Sequence, residues 1–432
     1  MKRKIDDILL RWKVAEGRMP LLLDGARQVG KTYAVNAFGK NAYDDVVYAN
    51  FEMDAALAGY FETSLDPARI VAYLEGHFGR VIVPGRTLLF FDEIQTAGRA
   101  LESLKYFSEL APEHHVVAAG SLLGVAIRQN GASYPVGKID ELRMHPMDFE
   151  EFLWAIGEAG LAGIVRTHFQ SFDPMPDPLH RRLLELYRTY LVVGGMPGVV
   201  AEFVRSHSLL AASEIQERIL NDYTADTGKY ATPIETVKIR ACFRSIPVQL
   251  AKENAKFQYK VVQRGGTATI FGSAIDWLEQ AGIALKCQRI DSGLLPISSR
   301  VDLASFKLYM NDVGLLTKLA NMPQSMILSP LPFDNDYLGR LTENMVAQML
   351  ARSGRKLYYW TSGTGDGELD FVIQDDIGTV PIEVKKGVHT RSVSLNRFIR
   401  DYACITSYRV SQKNFGNDDP IRSIPLYAVH LI

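Results

Sequence analysis

The chain has 432 residues, with 48 Lys plus Arg against 49 Asp plus Glu, a formal net charge of −1 and 47% hydrophobic residues. This length predicts several domains, and the balanced charge excludes a strongly basic nucleic-acid binder at the level of the whole chain while leaving a local basic surface open. The three cysteines, Cys242, Cys287 and Cys404, are too widely spaced for a disulfide framework or a zinc site and are expected to be buried thiols in a reducing cytoplasm.

Ile5, Ile8, Leu9 and Trp12 predict a helix over 4–14, with Trp12 packed inward or, alternatively, against a nucleotide base. The charged, amphipathic start lacks the apolar core of a signal peptide, and no run reaches the length of a membrane span, so no membrane role is expected. A short buried strand at Met19–Leu23 leads into Gly25-Ala26-Arg27-Gln28-Val29-Gly30-Lys31-Thr32. These eight residues fit G-x-x-x-x-G-K-[ST] at every fixed position, and a helix start follows from Thr32 to Phe38. Strand, glycine-rich loop and helix in that order make a phosphate cradle, because the glycines let backbone N–H groups converge on phosphate oxygens. Lys31 is expected to reach the β- and γ-phosphates of ATP, and the Thr32 hydroxyl to ligate Mg²⁺.

A second strand is expected at Val46–Phe51 and a helix over Ile70–Phe78. Arg86 to Glu93 reads as a buried strand carrying two carboxylates at its tip, the edge at which ligands collect in open α/β sheets. Asp92 is expected in the metal shell and Glu93 as the base that polarises the attacking water. After a helix over Leu101–Leu110, His115 to Ser121 forms another core strand. Ser121 at its tip is either a γ-phosphate sensor or a small residue capping the next helix. A further strand is expected at Ile139–Met144, and Met147–Leu153 opens a helix. The region from about 148 to 230 is helical by pattern, broken by the proline-rich stretch 171–178 and by a turn at Gly194-Gly195-Met196-Pro197 to which no chemistry is assigned.

Over 236–320, a helix at 236–253 and a second holding Ile275, Leu278 and Ile283 precede two strand-like runs, Ala284–Ile290 and Phe306–Met310. Helices followed by a hairpin suggest a winged helix. Asp276 and Glu279 on its second helix favour a protein contact over a nucleic-acid one. The last block has a helix opening at Leu341-Thr342-Glu343-Asn344, then strands at Leu357–Trp360, Glu368–Ile373 and Thr379–Lys385. Glu383 and Lys385 share a strand face, and Asp370 comes from the neighbouring strand. Two carboxylates beside a lysine can chelate Mg²⁺ and activate water. Asp370, Glu383 and Lys385 match the D…(D/E)-x-K pattern of restriction-endonuclease-like folds, with Glu343 as the helical acidic residue, although Leu369 stands where a proline is usual. A salt-bridged, catalytically silent version of that fold is the other reading.

The chain resembles prokaryotic AAA-type ATPases that carry a C-terminal restriction-endonuclease-like domain. Gly25–Thr32, Phe91–Gln95, Gly120-Ser121 and Gly194–Pro197 carry the likeness, extended by Glu343-Asn344, Gly367–Phe371, Glu383–Lys385 and Ser394-Leu395. The resemblance implies an α/β fold: an ASCE-type P-loop parallel sheet (1–155), a helical lid (156–235), a winged-helix-like segment (236–325) and a restriction-endonuclease-like domain (326–432), with an ATP–Mg²⁺ site. Many relatives have Gly-Arg where this chain has Gly137-Lys138. Lysine cannot make the planar bidentate contact of an arginine finger, so slow hydrolysis is expected, with Arg128 and Arg143 as substitutes. Two functions stay open: a nucleotide switch controlling a nuclease, and a switch for a protein or nucleic-acid partner with an inert C-terminal domain.

Overall fold

Leu21, Leu22 and Leu23 are buried and form β1 (Leu21–Asp24). The computed structural model describes residues 1–124, 134–252, 255–329, 336–363, 365–385 and 392–432. β1 belongs to a five-stranded sheet ordered β2 (Asp45–Asn50), β3 (Thr87–Asp92), β4 (His115–Ala119), β1, β5 (Asp140–Arg143), with every pairing parallel. All six residues of β3 are buried, as expected for a parallel strand covered on both faces. One face packs on α1 (Lys4–Val14) and α2 (Lys31–Ala42), the other on α3 (Ala55–Thr63), α4 (Pro67–Phe78) and α5 (Gly98–Leu110). The sequence pattern did not predict α3; Asp54 caps it by accepting from the amides of Ala56 and Leu57. The strand order sets β4 between the strand feeding the P-loop and the strand ending in Asp92. Gly120-Ser121 therefore lies between the two motifs.

A helical region follows: α6 (Phe149–Ala155), α7 (Ala159–Ser171), α8 (Asp177–Val193), α9 (Pro197–Ser206), α10 (Leu209–Asp226) and α11 (Pro233–Leu250). The proline-rich stretch separates α7 from α8, and the Gly194–Met196 turn separates α8 from α9. Gly195 permits a close crossing there, because a Cβ on it would lie 1.9 Å from the Met147 carbonyl oxygen.

The second half departs from the expected winged helix. α12 (Ala268–Gln280) precedes β6 (Ala284–Ile290) and β7 (Val301–Met310), which pair antiparallel. The other edge of β6 pairs in parallel with β8 (Leu357–Thr361). The hairpin is therefore no free-standing wing but one end of an eight-stranded sheet, since an open strand edge offers unpaired N–H and C=O groups that β8 satisfies. The order is β12 (Gly416–Asp418), β13 (Ile421–Pro425), β11 (Ser407–Ser411), β10 (Thr379–Val384), β9 (Glu368–Gln374), β8, β6, β7. A division at residue 325/326 falls between strands of this one sheet.

α13 (Val313–Leu319) packs between the helical region and this sheet, and α14 (Asp336–Arg352) covers one sheet face. α14 starts at Asp336 rather than at Leu341, so Glu343 sits inside the helix and not at its opening. α15 (Val393–Tyr402) covers the other face with Leu395 and Phe398. Buried Asp312 ties the halves together: it caps α13 at the Leu315 amide and accepts from the Gly195 amide at 2.6 Å. Burial raises its carboxyl to about 6 against the pull of these amides. Among the described residues no helix is long and apolar enough to cross a membrane.

Candidate functional site

The loop from Gly25 to Thr32 joins the tip of β1 to α2. Gly25 has φ 148°, and a Cβ there would lie 2.3 Å from the Met144 carbonyl oxygen, so the turn requires glycine. Gly30 is left-handed at φ 94°, and Gln28 takes φ 65°, a costly conformation for a residue with a side chain. Lys31 curls into the loop: its ammonium donates to the carbonyls of Gly25 at 2.8 Å and Ala26 at 2.9 Å. Burial lowers its pKa to about 8, and the nearby carboxylates of Asp24, Glu93 and Asp92 limit the fall.

The Thr32 hydroxyl donates to Asp92 Oδ2 at 2.9 Å, which joins the P-loop to the tip of β3. Tyr48 donates to the same oxygen at 2.9 Å and is itself fixed by Asn50. Glu93 sits just past the strand at φ 52°, a second strained position, and its carboxylate accepts from the Gln95 side chain. Gln95 also accepts from the Ser121 amide at 3.3 Å, so one side chain links Glu93 to the tip of β4. The Ser121 hydroxyl is buried and has no hydrogen-bond partner among the described residues.

These groups open onto a cavity of about 800 Å³ lined by Arg27, Gly30, Lys31, Thr32, Glu93 and Ser121. Arg3, Asp6 and Leu10 of the N-terminal segment, Phe38 of α2 and Pro197 of α9 also line it. Trp12 is a packing residue: it is buried, meets Phe38 edge-on, and donates to the Met19 carbonyl at 3.0 Å. Arg3, absent from the sequence reading, is buried and braces the loop by donating to the Val29 carbonyl at 3.1 Å, to Glu151 and to the His145 carbonyl. Its place beside Asp6 at the start of an amphipathic helix carries no signal for such a role. Lys138 is paired with Glu109 at 3.1 Å and Arg143 with Asp24 at 3.8 Å, and neither lines the cavity. Arg128 lies outside the described residues.

The C-terminal residues divide into two groups. Glu343 on α14 accepts from Lys307 at 2.9 Å, Tyr309 at 2.5 Å and Arg340 at 3.1 Å. The same Lys307 ammonium lies 2.8 Å from Glu368, so it sits between two carboxylates. Burial alone would lower the Lys307 pKa, but Glu343, Glu368 and Asp370 together raise it. Asp370 joins this cluster through a β-bulge. β8 pairs Tyr358 with Val372 but Trp360 with Leu369, so β9 carries an extra residue there. Leu369 and Val372 consequently pack on the α15 side and Phe371 on the α14 side. Burial and Glu343 raise the Asp370 carboxyl to about 7, while Lys307 and the Val384 amide, donating at 2.8 Å, oppose the rise. Glu383 and Lys385 instead form a pair of their own at 2.8 Å. Alternation aims Glu383 away from Val380 and Ile382, which join the core beneath α14. Among the described residues no hydrogen bond or ion pair joins Asp370 to the Glu383 or Lys385 side chain, and no group of three or more acidic, His or Cys side chains is arranged to hold a metal. The sequence reading missed Lys307; its signal is a lysine inside the otherwise apolar run Phe306–Met310.

A parallel sheet of this order, with the P-loop on β1 and Asp92-Glu93 at the tip of β3, defines the nucleotide-binding core of a P-loop ATPase. Residues 17–153 match a family model described as an AAA domain. Residues 184–326 match a domain of unknown function (DUF8612) and residues 338–427 another (DUF4143), neither description referring to a nuclease. No curated protein matches the chain. Among solved structures it is similar to the Walker-type ATPase PABY2304 of Pyrococcus abyssi, at 15% identity over 74% of this chain and 95% of that one, with a TM-score of 0.45. It is also similar to the Aeropyrum pernix ORC2 protein, at 11% identity over 81% and 94% with a TM-score of 0.37. The Aeropyrum pernix ORC1 protein in complex with DNA gives 14% identity over 76% and 93%, with a TM-score of 0.28. At these TM-scores the three likenesses decide nothing about this chain.

Proposed function

We propose that the chain is an ATP-dependent switch. Residues 1–155 bind ATP with Mg²⁺ and hydrolyse it slowly, 156–235 act as a lid, and residues 236–432, which carry the second sheet, pass the nucleotide state to a protein or nucleic-acid partner. The meeting of Thr32 and Asp92 at 2.9 Å, beside a lysine buried in the P-loop, carries this reading. The donor set fits the ligand: loop amides and Lys31 for phosphate oxygens, and the oxygens of Thr32 and Asp92 for a hard cation. Mg²⁺, when bound, neutralises charge on the β- and γ-phosphates. Lys31 leaves the carbonyls of Gly25 and Ala26 to pair with phosphate. Glu93, oriented by Gln95, accepts a proton from the attacking water, and the unspent Ser121 hydroxyl faces the terminal phosphate. The engagement of Lys138 and Arg143 elsewhere supports slow turnover of the isolated chain. Titration with ATP tests the site: Lys31→Ala should lose binding, and Glu93→Gln should bind ATP but not turn it over. Equal affinity of Lys31→Ala and wild type would rule out the assignment.

A nuclease role for Glu343, Asp370, Glu383 and Lys385 has one observation in its favour: among the described residues the buried Glu383 Oε2 accepts no hydrogen bond. Against it, the Lys307 ammonium lies between Glu343 and Glu368, where it supplies the positive charge that a divalent ion would bring. The inert reading is therefore favoured. Mg²⁺-dependent cleavage of mixed nucleic acids, lost in both Asp370→Ala and Lys385→Ala, would reverse that preference.

A further inference from the structure

Among the described residues three cationic side chains line the cavity, and two already donate within the protein. Lys31 is bound to loop carbonyls, and Arg3 to Glu151, Val29 and His145. Arg27 differs. It stands at the middle of the P-loop, and its Nε lies 2.8 Å from Asp226 Oδ2 without hydrogen-bond alignment. Among the described residues Nε and Nη2, both buried, have no hydrogen-bond partner, although a guanidinium is a rigid fork of donors suited to phosphate.

Asp226 belongs to the last turn of α10, and that turn grips the P-loop at two further points. Tyr223 donates to the Arg27 carbonyl at 3.2 Å, and Gln28 donates to Asp222 at 2.7 Å. One helix end thus holds two consecutive residues of the phosphate loop. It does so with two carboxylates and the negative end of the helix dipole, a set that suits a cation only while no stronger anion is near. Burial raises the Asp226 carboxyl, and Arg27 opposes that rise. Beyond this turn, Arg240 of α11 donates to the Thr224 carbonyl and to the Thr227 hydroxyl, which joins the helix end to the segment leading into the second sheet.

We propose that Arg27 is a triphosphate-sensing residue that exchanges Asp226 for the terminal phosphate and so releases the end of α10 from the P-loop. The inference rests on the P-loop being an ATP site. A diphosphate is held by the loop amides and Lys31 and leaves Arg27 with Asp226. The third phosphoryl group brings new negative charge to the loop and takes the unspent donors of Arg27. The exchange turns nucleotide state into the position of one helix end, on the side of the site that leads through α11 to the rest of the chain.

Equilibrium titration of the full chain with ADP and with a non-hydrolysable ATP analogue tests this, together with hydrogen exchange over residues 218–228. In the wild type the analogue, but not ADP, should speed exchange in the last turn of α10. Arg27→Ala should weaken the analogue at least tenfold and ADP less than twofold, and its helix end should exchange fast without nucleotide. Asp226→Asn, which keeps the shape of the contact, should tighten the analogue a few-fold and leave ADP unchanged. A merely structural Arg27 would shift both nucleotides equally, and that outcome overturns the proposal. So does an unchanged analogue-to-ADP ratio in Asp226→Asn, a result that stands even if Arg27→Ala does not fold. Failure of the wild type to bind either nucleotide would instead overturn the ATP-site reading itself.

Discussion

Lys307→Met tests what neutralises the buried charge between α14 and the second sheet. Methionine keeps most of the aliphatic volume, so the substitution removes the ammonium rather than opening a cavity. The ammonium contacts Glu343 at 2.9 Å and Glu368 at 2.8 Å. Glu368 is a third exposed and can rehydrate, whereas Glu343 is almost fully buried and cannot. Burial pushes the Glu343 carboxyl up, but Lys307, Tyr309 and Arg340 hold it below its ordinary value. Deleting one partner of a buried pair costs about 3–5 kcal/mol. Because Arg340 stays 3.1 Å from Glu343, the lower end, about 3 kcal/mol, is expected. Urea unfolding followed by tryptophan fluorescence measures the loss, with Trp360 on β8 reporting from the same sheet. The loss should be larger at pH 8 than at pH 5, where Asp370, raised to about 7, is protonated and no longer repels Glu343. Lys307→Met/Glu343→Gln should recover most of it. A single variant as stable as wild type at pH 8 would refute the idea that Lys307 is the counter-charge.

Asp370→Asn mimics the protonated carboxyl. Burial and Glu343 raise the Asp370 carboxyl from its ordinary 3.8 to about 7 in the folded chain, so its ionisation costs stability progressively as pH rises from about 4 to 7. The melting temperature of the variant relative to wild type should therefore rise across that window; a flat difference would show that Asp370 titrates normally. Gly195→Ala places a Cβ 1.9 Å from the Met147 carbonyl oxygen and should cost more than about 3 kcal/mol or prevent folding. Gly59→Ala, where a Cβ meets nothing within 4 Å, should change stability by about 1 kcal/mol or less in thermal melts of the two proteins side by side. Because the Lys31 pKa lies near 8 in the cavity, ATP binding above that pH must first recharge the lysine. Affinity measured by titration should fall toward about tenfold per pH unit above pH 8, and a pH-independent affinity up to pH 10 would contradict the buried position of Lys31.

The proposed nucleotide site was legible because its parts are local. Eight consecutive residues make the cradle, and an apolar run ending in Asp92-Glu93 makes its partner strand. Period and glycine placement specify both without reference to the rest of the chain. Tyr48, Gln95, Arg3 and Asp226 were not legible. They reach the site across a strand pairing, a turn or a helix end, and nothing near them in sequence distinguishes them from ordinary packing residues. The C-terminal block shows the limit more sharply. Strand alternation put Glu383 and Lys385 together, and they do pair. The grouping of Asp370 depended on one extra residue in β9, which shifts side chains between sheet faces, and the hydrophobic pattern cannot announce a bulge of that kind. Likewise Ala284–Ile290 and Phe306–Met310 read as strands from their own residues. That β6 gives its free edge to β8, bringing Lys307 against Glu343 and Glu368, was decided by backbone pairing between segments far apart in sequence. Those pairing energies are non-local, and only the folded chain sums them.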